Sequence, residues 1–232
     1  AKPKREGPDY GMVNFIMMIE QLSWGDAGQY LCLPHPMLGG AAVDSAGTPQ
    51  QRVRFLKKFT EGAPKWGAMA ITEPGAGSDN SAMRTTAVLD PETNEWVLNG
   101  EKIFITNGIV GDLCLLVAKT DPAKGARGVS LLLVDTNSPG YQKSKSLQKI
   151  GNKAQDTAVL YFDDMKVPVD NRLGGENEGW RLLMSGLVQE RLIVAVRAVS
   201  TCEAALEQTI AYTKERKAFG QRVFDFQNTR FT

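Results

Sequence analysis

The stretch that decides the fold is residues 70–79, which read Ala70-Ile71-Thr72-Glu73-Pro74-Gly75-Ala76-Gly77-Ser78-Asp79. It starts as an apolar strand and continues into a proline, two glycines, a hydroxyl and a carboxylate. Such a loop bends the backbone tightly and leaves amide groups available, which is how a backbone cradles a phosphate. The same residue types also form plain turns that bind nothing. Taken alone, the stretch predicts either a phosphate-binding loop or an ordinary connection.

The residues after this loop exclude a dinucleotide-binding βαβ unit. That unit needs a helix directly after the glycine loop, and no helical pattern follows. Strand-length apolar runs follow instead, at residues 84–89, 96–98, 102–106, 113–119, 129–134 and 158–162. They are separated by turn formers at residues 90–94, 99–100 and 138–140. This spacing predicts an antiparallel β domain, either a small barrel or a sandwich.

Helical patterns lie on both sides of the β domain. Residues 10–24 are densely apolar and predict a largely buried helix, broken at residues 25–28, and Thr48-Pro49-Gln50-Gln51 predicts a capped helix start. A glycine-rich linker at residues 174–179 leads into a long helix that keeps helical spacing through Ile210. The expected fold class is therefore α+β. Its domains are a partial helical segment at 1–66, a middle β domain at 67–172, and the start of a C-terminal helical domain at 173–232.

Composition narrows the classes of partner. The 232 residues are 42% hydrophobic and carry 27 basic and 26 acidic side chains, a net charge of +1. This balance gives no electrostatic case for nucleic acid or an anionic membrane surface. The three cysteines are odd in number and far apart, which favours a reducing compartment and indicates neither a disulfide framework nor a metal site. No apolar run approaches the ~18–20 residues of a membrane span, and residues 1–6 lack a signal-peptide core.

Glu190 is a carboxylate among apolar residues in the long helix. Leu187 lies three positions before it, and Ile193 and Val194 lie three and four positions after it, so all share one helix face. Burial disfavours a charged carboxylate and raises its pKa toward the range that suits a general base. The pattern therefore makes Glu190 a candidate catalytic base.

Two readings of Glu190 remain open at this point. Gly186 lies one helical turn earlier, and because helical side chains lean toward the N-terminus, it leaves room for a substrate beside the carboxylate. In the alternative reading, Glu190 is a structural residue paired with Arg191, with Arg197 or with a group from another helix.

Three motifs together identify a family. The first is the loop at 70–79, and the second is Leu98-Asn99-Gly100-Glu101-Lys102-Ile103-Phe104-Ile105-Thr106-Asn107-Gly108. The third is Arg216-Lys217-Ala218-Phe219-Gly220, followed by Gln227. In this order and spacing they resemble the acyl-CoA dehydrogenase family, flavoenzymes that oxidise acyl-CoA thioesters to 2-enoyl-CoA. The resemblance covers nearly the whole chain and implies that it begins partway into the N-terminal helical domain and ends one helix into the C-terminal one.

The resemblance implies an FAD site with named positions. Residues expected to line the flavin or meet its pyrophosphate are Met69, Ile71, Thr72, Gly77 and Ser78. Phe104, where many relatives carry tryptophan, would pack on the isoalloxazine, and Thr106 would hydrogen-bond near N5; without the family, Phe104 is equally well explained by packing in the β core. Arg216, Phe219 and Gln227 would reach the FAD of a neighbouring subunit.

The resemblance also implies a reaction and partners. Glu190 followed by Arg191 matches the catalytic glutamate of members resembling the long-chain and isovaleryl enzymes, whereas most members supply the base from a later loop, which would lie beyond Thr232. Substrate contacts would come from Ser78, Gly186 and Arg191. The implied partners are acyl-CoA, an electron-transfer flavoprotein and further copies of the chain in a homotetramer, and no metal is expected. The compartment would be the cytoplasm in a bacterium or the mitochondrial matrix in a eukaryote. The alternatives are an acyl-CoA oxidase or other flavoenzyme on this fold, or a non-catalytic scaffold.

Overall fold

The computed structural model describes residues 11–232, apart from the side chains of Met37 and Leu38. The expectations for residues 1–10, including the helix start at Tyr10, lie outside the described residues. The chain divides into two compact units. The β unit is Cys32–Val188, and the helical unit comprises the described part of Ala1–Leu31 together with Gln189–Thr232.

Helices precede and follow the strands, as the sequence predicts. The α-helices are α1 (Gly11–Tyr30), α2 (Met37–Ala46), α3 (Pro49–Gln51), α4 (Gly179–Glu215) and α5 (Gln227–Phe231). The strands are β1 (Gly67–Ala70), β2 (Thr86–Asp90), β3 (Glu95–Thr106), β4 (Leu113–Lys119), β5 (Val129–Asp135), β6 (Tyr141–Lys143), β7 (Thr157–Pro168), β8 (Arg172–Leu173), β9 (Lys217–Ala218) and β10 (Gln221–Arg222). The expected order of helical, β and helical segments is therefore confirmed.

The main sheet has eight strands and is mixed and open. Its order is β6-β7-β3-β2-β4-β5-β8, with β1 also pairing with β4. Strands β1 and β4 run parallel, as do β2 and β4 at Thr86 and Lys119, whereas the other ladders are antiparallel. The expectation of a purely antiparallel domain was wrong for these two pairings, and the barrel alternative was wrong because the strand order does not close. Alternation of apolar residues reports which face is buried but not the direction of the neighbouring strand.

Strands β4 and β5 form the centre of the β unit and are buried on both faces. One face carries Cys114, Leu116 and Ala118 against buried residues of β3 and β7, among them Trp96 and Leu160. The opposite face carries a second apolar layer that includes Val43 of α2, Phe55 and Leu183 of α4. Burial on both faces explains why β4 and β5 are continuous apolar runs rather than alternating ones.

The dipeptide Asn99-Gly100 does not form the expected turn. Strand β3 continues through it, with a register irregularity against β7 between Leu98 and Gly100. Gly100 has a φ of +145°, and a Cβ built there would lie 2.5 Å from Thr85 Oγ1. The glycine therefore allows β3 to approach the segment before β2 closely instead of reversing the chain.

Local signals in the N-terminal helices are only partly realised. Thr48 and Gln51 form the expected capping box, with Gln51 N donating to Thr48 Oγ1 at 3.1 Å and Thr48 N to Gln51 Oε1 at 3.0 Å. The expected break after Trp24 appears as a kink at Asp26, whose carboxylate accepts from the amides of the following turn. The expected burial of α1 was wrong, because Met12, Val13, Phe15, Met17, Met18 and Trp24 are exposed. Density of apolar residues does not specify which of them find packing partners.

Candidate functional site

The loop at 70–79 forms a tight turn followed by an open segment. Glu73 N donates to Ala76 O at 3.1 Å, and Ala76 N donates to Glu73 O at 3.0 Å, closing the turn. The next two residues, Gly77 and Ser78, are exposed, and their amide groups have no hydrogen-bond partner among residues 11–232. A Cβ built on Gly77 meets nothing within 4 Å, and its φ lies outside the left-handed region. The fold therefore does not require this glycine, and the open amides suit an anion that approaches the backbone closely.

Glu73 ties the two ends of this loop together. Its buried carboxylate accepts hydrogen bonds from Arg84 N at 2.6 Å and Thr85 N at 3.0 Å, just before β2. The same carboxylate accepts from Lys102 Nζ at 2.9 Å. The Glu73 side chain thus links the start of the loop to the residues just before β2.

Lys102 extends the same cluster to β3. Its side chain is 0% exposed, and Nζ also donates to Ile71 O at 2.9 Å. Next to it, Ile103 N donates to Thr72 O at 2.8 Å. These contacts bring the first two sequence motifs together and hold residues 71–73 against β3.

The electrostatics of this cluster follow from burial. Burial alone would raise the pKa of Glu73, but hydrogen bonds from Lys102, Thr85 and Arg84 outweigh it, so the pKa is lowered. Burial lowers the pKa of Lys102, and Glu73 opposes that shift. Burial raises the pKa of the nearby Cys114 to about 12, so this thiol is neutral at physiological pH.

Phe104 projects from a bulge in β3. Lys102 pairs with Leu160 and Ile105 with Ala158, so β3 carries one more residue than β7 across this interval. Phe104 adopts a φ of +61° and leaves its side chain 64% exposed. The left-handed region is unfavourable for an aromatic residue, and strain of this kind concentrates at binding sites. The interpretation of Phe104 as core packing was wrong.

Three expected contact residues, in the loop at 70–79 and in β3, carry hydroxyl groups without a protein partner. The hydroxyl groups of Thr72, Ser78 and Thr106 make no hydrogen bond among residues 11–232. None of these residues is buried, so their hydroxyl groups are accessible to a ligand. Met69 and Ile71 are half-buried at the end of β1 and directly after it. The β unit therefore assembles an exposed aromatic ring, open amides and available hydroxyls around one loop and one bulge.

Glu190 belongs to the helical unit. It is half-buried, and burial raises its pKa, as its apolar helix face predicts. It forms no ion pair or hydrogen bond within the part of the chain that the structure describes. The neighbouring Arg191 is exposed, and Gly186 lies one turn earlier along α4. The carboxylate is thus desolvated and uncommitted.

The third motif forms a short hairpin after α4. Strands β9 and β10 pair across Phe219 and Gly220, which have φ values of +54° and +80°, the signs of a type I′ turn. Phe219 is 96% exposed and contacts Phe226 edge-on, with ring centroids 6.4 Å apart. Arg216 and Gln227 are also exposed. The hairpin therefore presents an aromatic and a cationic side chain on its surface.

Sequence reasoning assigned no role to three residues that build the site. These are Glu73, Lys102 and Asn107, the last of which is buried and donates from Nδ2 to Gly67 O at 3.1 Å. One signal was present for Lys102, because it is a charged residue directly before the apolar residues Ile103, Phe104 and Ile105 of a strand. Elsewhere, no group of three or more His, Cys, Asp or Glu side chains within 11–232 is arranged to hold a metal ion. None of the described helices is long and apolar enough to cross a membrane.

Comparison with known proteins gives the same family across both units. Residues 68–165 match the acyl-CoA dehydrogenase middle domain, and residues 177–232 match the acyl-CoA dehydrogenase C-terminal domain. The mitochondrial long-chain specific acyl-CoA dehydrogenase of Mus musculus is 45% identical over 190 residues, which is 81% of this chain and 44% of that protein. The chain thus spans less than half the length of this relative.

Solved structures of the family superimpose well on the chain. An acyl-CoA dehydrogenase from Geobacillus kaustophilus has a TM-score of 0.78 at 34% identity, covering 100% of this chain and 74% of that one. An acyl-CoA dehydrogenase from Bacillus anthracis complexed with FAD has a TM-score of 0.85 at 29% identity, covering 94% of this chain and 37% of that one. By its two domain matches, its sequence identity and its fold, the chain belongs to the acyl-CoA dehydrogenase family.

Proposed function

We propose that this protein catalyses the FAD-dependent α,β-dehydrogenation of an acyl-CoA thioester to 2-enoyl-CoA. The observation that carries the proposal is Phe104, an exposed aromatic residue in the left-handed region, directly after Ile103, whose amide donates to Thr72 O of the loop at 70–79. A fold accepts such strain and such exposure where a ligand covers the ring. The flat face of an isoalloxazine is a ligand of the right shape and chemistry for stacking.

Residues of the loop at 70–79 and of β3 fit different parts of FAD. The open amides of Gly77 and Ser78 provide donors for the pyrophosphate, and the empty space at the Gly77 Cβ position lets a phosphate reach the backbone. Thr72 and Thr106 offer hydroxyls for the polar edge of the flavin, and Met69 and Ile71 offer apolar contacts. When bound, FAD supplies the two-electron acceptor that takes the β-hydrogen as hydride, which no protein side chain provides.

Glu190 is the proposed base for the α-proton. A thioester carbonyl acidifies its α-hydrogen only modestly, so the base must be held in place and poorly solvated while the enolate charge is stabilised by hydrogen bonds. Burial already raises the pKa of Glu190, and no cation among residues 11–232 pairs with it. Gly186, one turn earlier on α4, has no side chain to fill the space beside the carboxylate and is a proposed substrate contact, together with Ser78 and Arg191.

Arg216 directly before β9, Phe219 in the hairpin turn and Gln227 at the start of α5 are proposed to contact the FAD of a neighbouring subunit in a homotetramer. Arginine binds phosphate through two donors at once, and the exposed ring of Phe219 provides a stacking surface. The electrons are proposed to leave to an electron-transfer flavoprotein. The proposed compartment of the protein is the mitochondrial matrix if the organism is a eukaryote and the cytoplasm if it is a bacterium.

An anaerobic titration tests the proposal. The natural protein, with any flanking sequence retained, is reconstituted with FAD and titrated with acyl-CoAs of different chain lengths, and the flavin absorbance and the acyl product are both followed. We expect bleaching by one class of thioester and formation of 2-enoyl-CoA. Rapid reoxidation by air would indicate an oxidase instead, and bound FAD that no thioester bleaches would contradict the proposed reaction and favour a scaffold.

A further inference from the structure

Lys102 and Glu73 form a buried ion pair that also holds the carbonyl oxygen of Ile71. Lys102 is 0% exposed and Glu73 is 6% exposed, so neither side chain can touch a substrate or a cofactor directly. Taking two charges out of water is costly, and an apolar pair of similar volume is often as stable or more stable. Stability alone is therefore a weak explanation for this pair at this place.

The partners of the pair are the segments that carry the proposed cofactor contacts. Nζ of Lys102 donates to Ile71 O at 2.9 Å and to Glu73 Oε1 at 2.9 Å, which fixes the strand end that leads into Gly77 and Ser78. Two residues further along β3 lies Phe104, at the bulge. The ammonium group thus joins the start of the loop to the strand that presents the aromatic ring.

The carboxylate fixes the other end of the same loop. Glu73 accepts from the backbone N–H groups of Arg84 at 2.6 Å and Thr85 at 3.0 Å. Both donors lie between the loop at 70–79 and β2, so the contacts of Glu73 enclose residues 74–83. Thr85 is also packed against Gly100 of β3, so the loop is held to β3 at both ends.

We propose that Lys102 is a positioning residue for FAD, which through Ile71 O and the Glu73 carboxylate sets the distance between the loop at 74–79 and the Phe104 bulge. The inference rests on the proposed FAD site. A buried ion pair, rather than packing, holds the loop at 74–79 at a fixed distance from the Phe104 bulge.

Removal of the cation should make cofactor binding depend on pH. In Lys102→Met, Glu73 stays buried with two amide donors but without its counterion, so its pKa rises toward neutrality. The other titratable group that interacts with Lys102 is Cys114 on β4, which stays protonated because its pKa is about 12. As the pH rises, ionisation of Glu73 without a partner then disfavours the ordered loop.

The test compares the unaltered protein with three variants and measures FAD affinity by fluorescence titration of the apoprotein between about pH 6 and pH 9. We expect the unaltered protein to show a flat profile and Lys102→Met to bind FAD about tenfold more weakly, with a further loss as the pH rises. Lys102→Met/Glu73→Gln should keep the weaker binding but lose the pH dependence. The control Lys58→Met removes an exposed ion pair to Asp135 at 3.2 Å and should change neither.

Two results would overturn the inference. One is binding in Lys102→Met as tight and as flat as in Lys58→Met, and the other is full recovery of affinity in the double variant. If Lys102→Met does not fold, the double variant alone decides, because it contains no unpaired buried charge.

Amide hydrogen exchange of the apoprotein separates this inference from the proposed function. The amides of Ile103, Arg84 and Thr85 should exchange faster in Lys102→Met than in Lys58→Met, whether or not FAD binds. Unchanged exchange would refute the positioning role. If the unaltered protein binds no FAD while exchange is accelerated as expected, then the proposed function fails, but Lys102 is still shown to order the loop at 74–79.

Discussion

Lys102 and Phe104 are two residues apart in one strand, yet the Lys102 side chain is 0% exposed and the Phe104 side chain is 64% exposed. In a regular strand, residues i and i+2 point to the same face. The bulge between Lys102 and Ile105 breaks that rule and turns the two side chains to different environments. One irregularity in β3 therefore separates a buried, ion-paired lysine from an exposed aromatic residue.

Phe104 should matter for cofactor affinity and not for stability. Because the side chain is exposed and glycine adopts a positive φ freely, Phe104→Gly should leave the free energy of unfolding of the apoprotein within about 1 kcal/mol. FAD affinity should fall about tenfold, the size of a lost stacking contact. Phe104→Trp should keep the affinity, and Val88→Ala, at a 63% exposed strand position, serves as the control in calorimetry and FAD titration. A large loss of stability in Phe104→Gly would contradict the assignment.

Gly77 should be required by the ligand and not by the fold. A Cβ there meets nothing within 4 Å, so Gly77→Val should unfold at the same temperature as the unaltered protein. The added methyl groups occupy the space proposed for the pyrophosphate, and FAD affinity should drop about tenfold or more. Gly151→Val is matched, since its Cβ also meets nothing within 4 Å, and it should bind FAD normally. Equal FAD affinities in the two variants would show that the pyrophosphate does not bind at this loop.

The Lys102 and Glu73 pair should have a measurable stability signature. Lys102→Met leaves a buried carboxylate without its counterion and should cost about 3–5 kcal/mol in urea unfolding, whereas Lys58→Met, at an exposed pair, should cost about 0–1 kcal/mol.

The pH dependence of stability follows from the lowered pKa of Glu73. Because folding lowers this pKa below its ordinary value of 4.5, the carboxylate contributes stability above that value and loses it as the pH falls through the folded-state pKa. The difference in unfolding free energy between the unaltered protein and Glu73→Gln should therefore shrink in acid. A difference that grows as the pH falls would show that the sign is wrong.

Subunit mixing tests the role of Arg216. If Arg216 contacts the FAD of a neighbouring subunit, then Gly77→Val and Arg216→Ala chains should each bind FAD poorly alone. After the two are mixed and allowed to exchange subunits, about a quarter of the sites should combine an intact loop with an intact arginine. Recovered FAD fluorescence quenching at that level would support a shared site. No recovery, with exchange verified by mass, would place Arg216 on its own chain's cofactor or on none.

Much of the fold could be predicted because strong local signals agree with tertiary packing. The extent of β4, Leu113–Lys119, was predicted to the residue. Residues 113–118 are an apolar run that ends at Lys119. The direction of pairing between β1 and β4 was not predictable, because it depends on how the intervening segments return. Asn99-Gly100 carried a hairpin signal, but pairing of β3 with β7 along its length prevailed over the local preference.

The candidate site shows a similar division. Glycines, hydroxyls and the partly apolar face around Glu190 could be identified from sequence because they depend on residue type and helical spacing. The bulge at Phe104 could not, because it arises from one extra residue in β3 relative to β7, which neither strand reveals alone. The contacts of Lys102 were missed for the same reason, since its partners at Ile71 and Glu73 lie about thirty residues away in the chain.

The measurement that tests the central claim most directly is anaerobic reduction of bound FAD by the preferred acyl-CoA in Glu190→Gln, with Glu203→Gln, an exposed position of the same helix, as the control. Loss of a general base should slow the bleaching by about 10²–10⁴-fold without loss of bound FAD. In the unaltered protein and in Glu203→Gln the rate should rise with pH through the raised pKa of Glu190. Bleaching of Glu190→Gln at the unaltered rate would contradict the account, because the α-proton would then leave to another base.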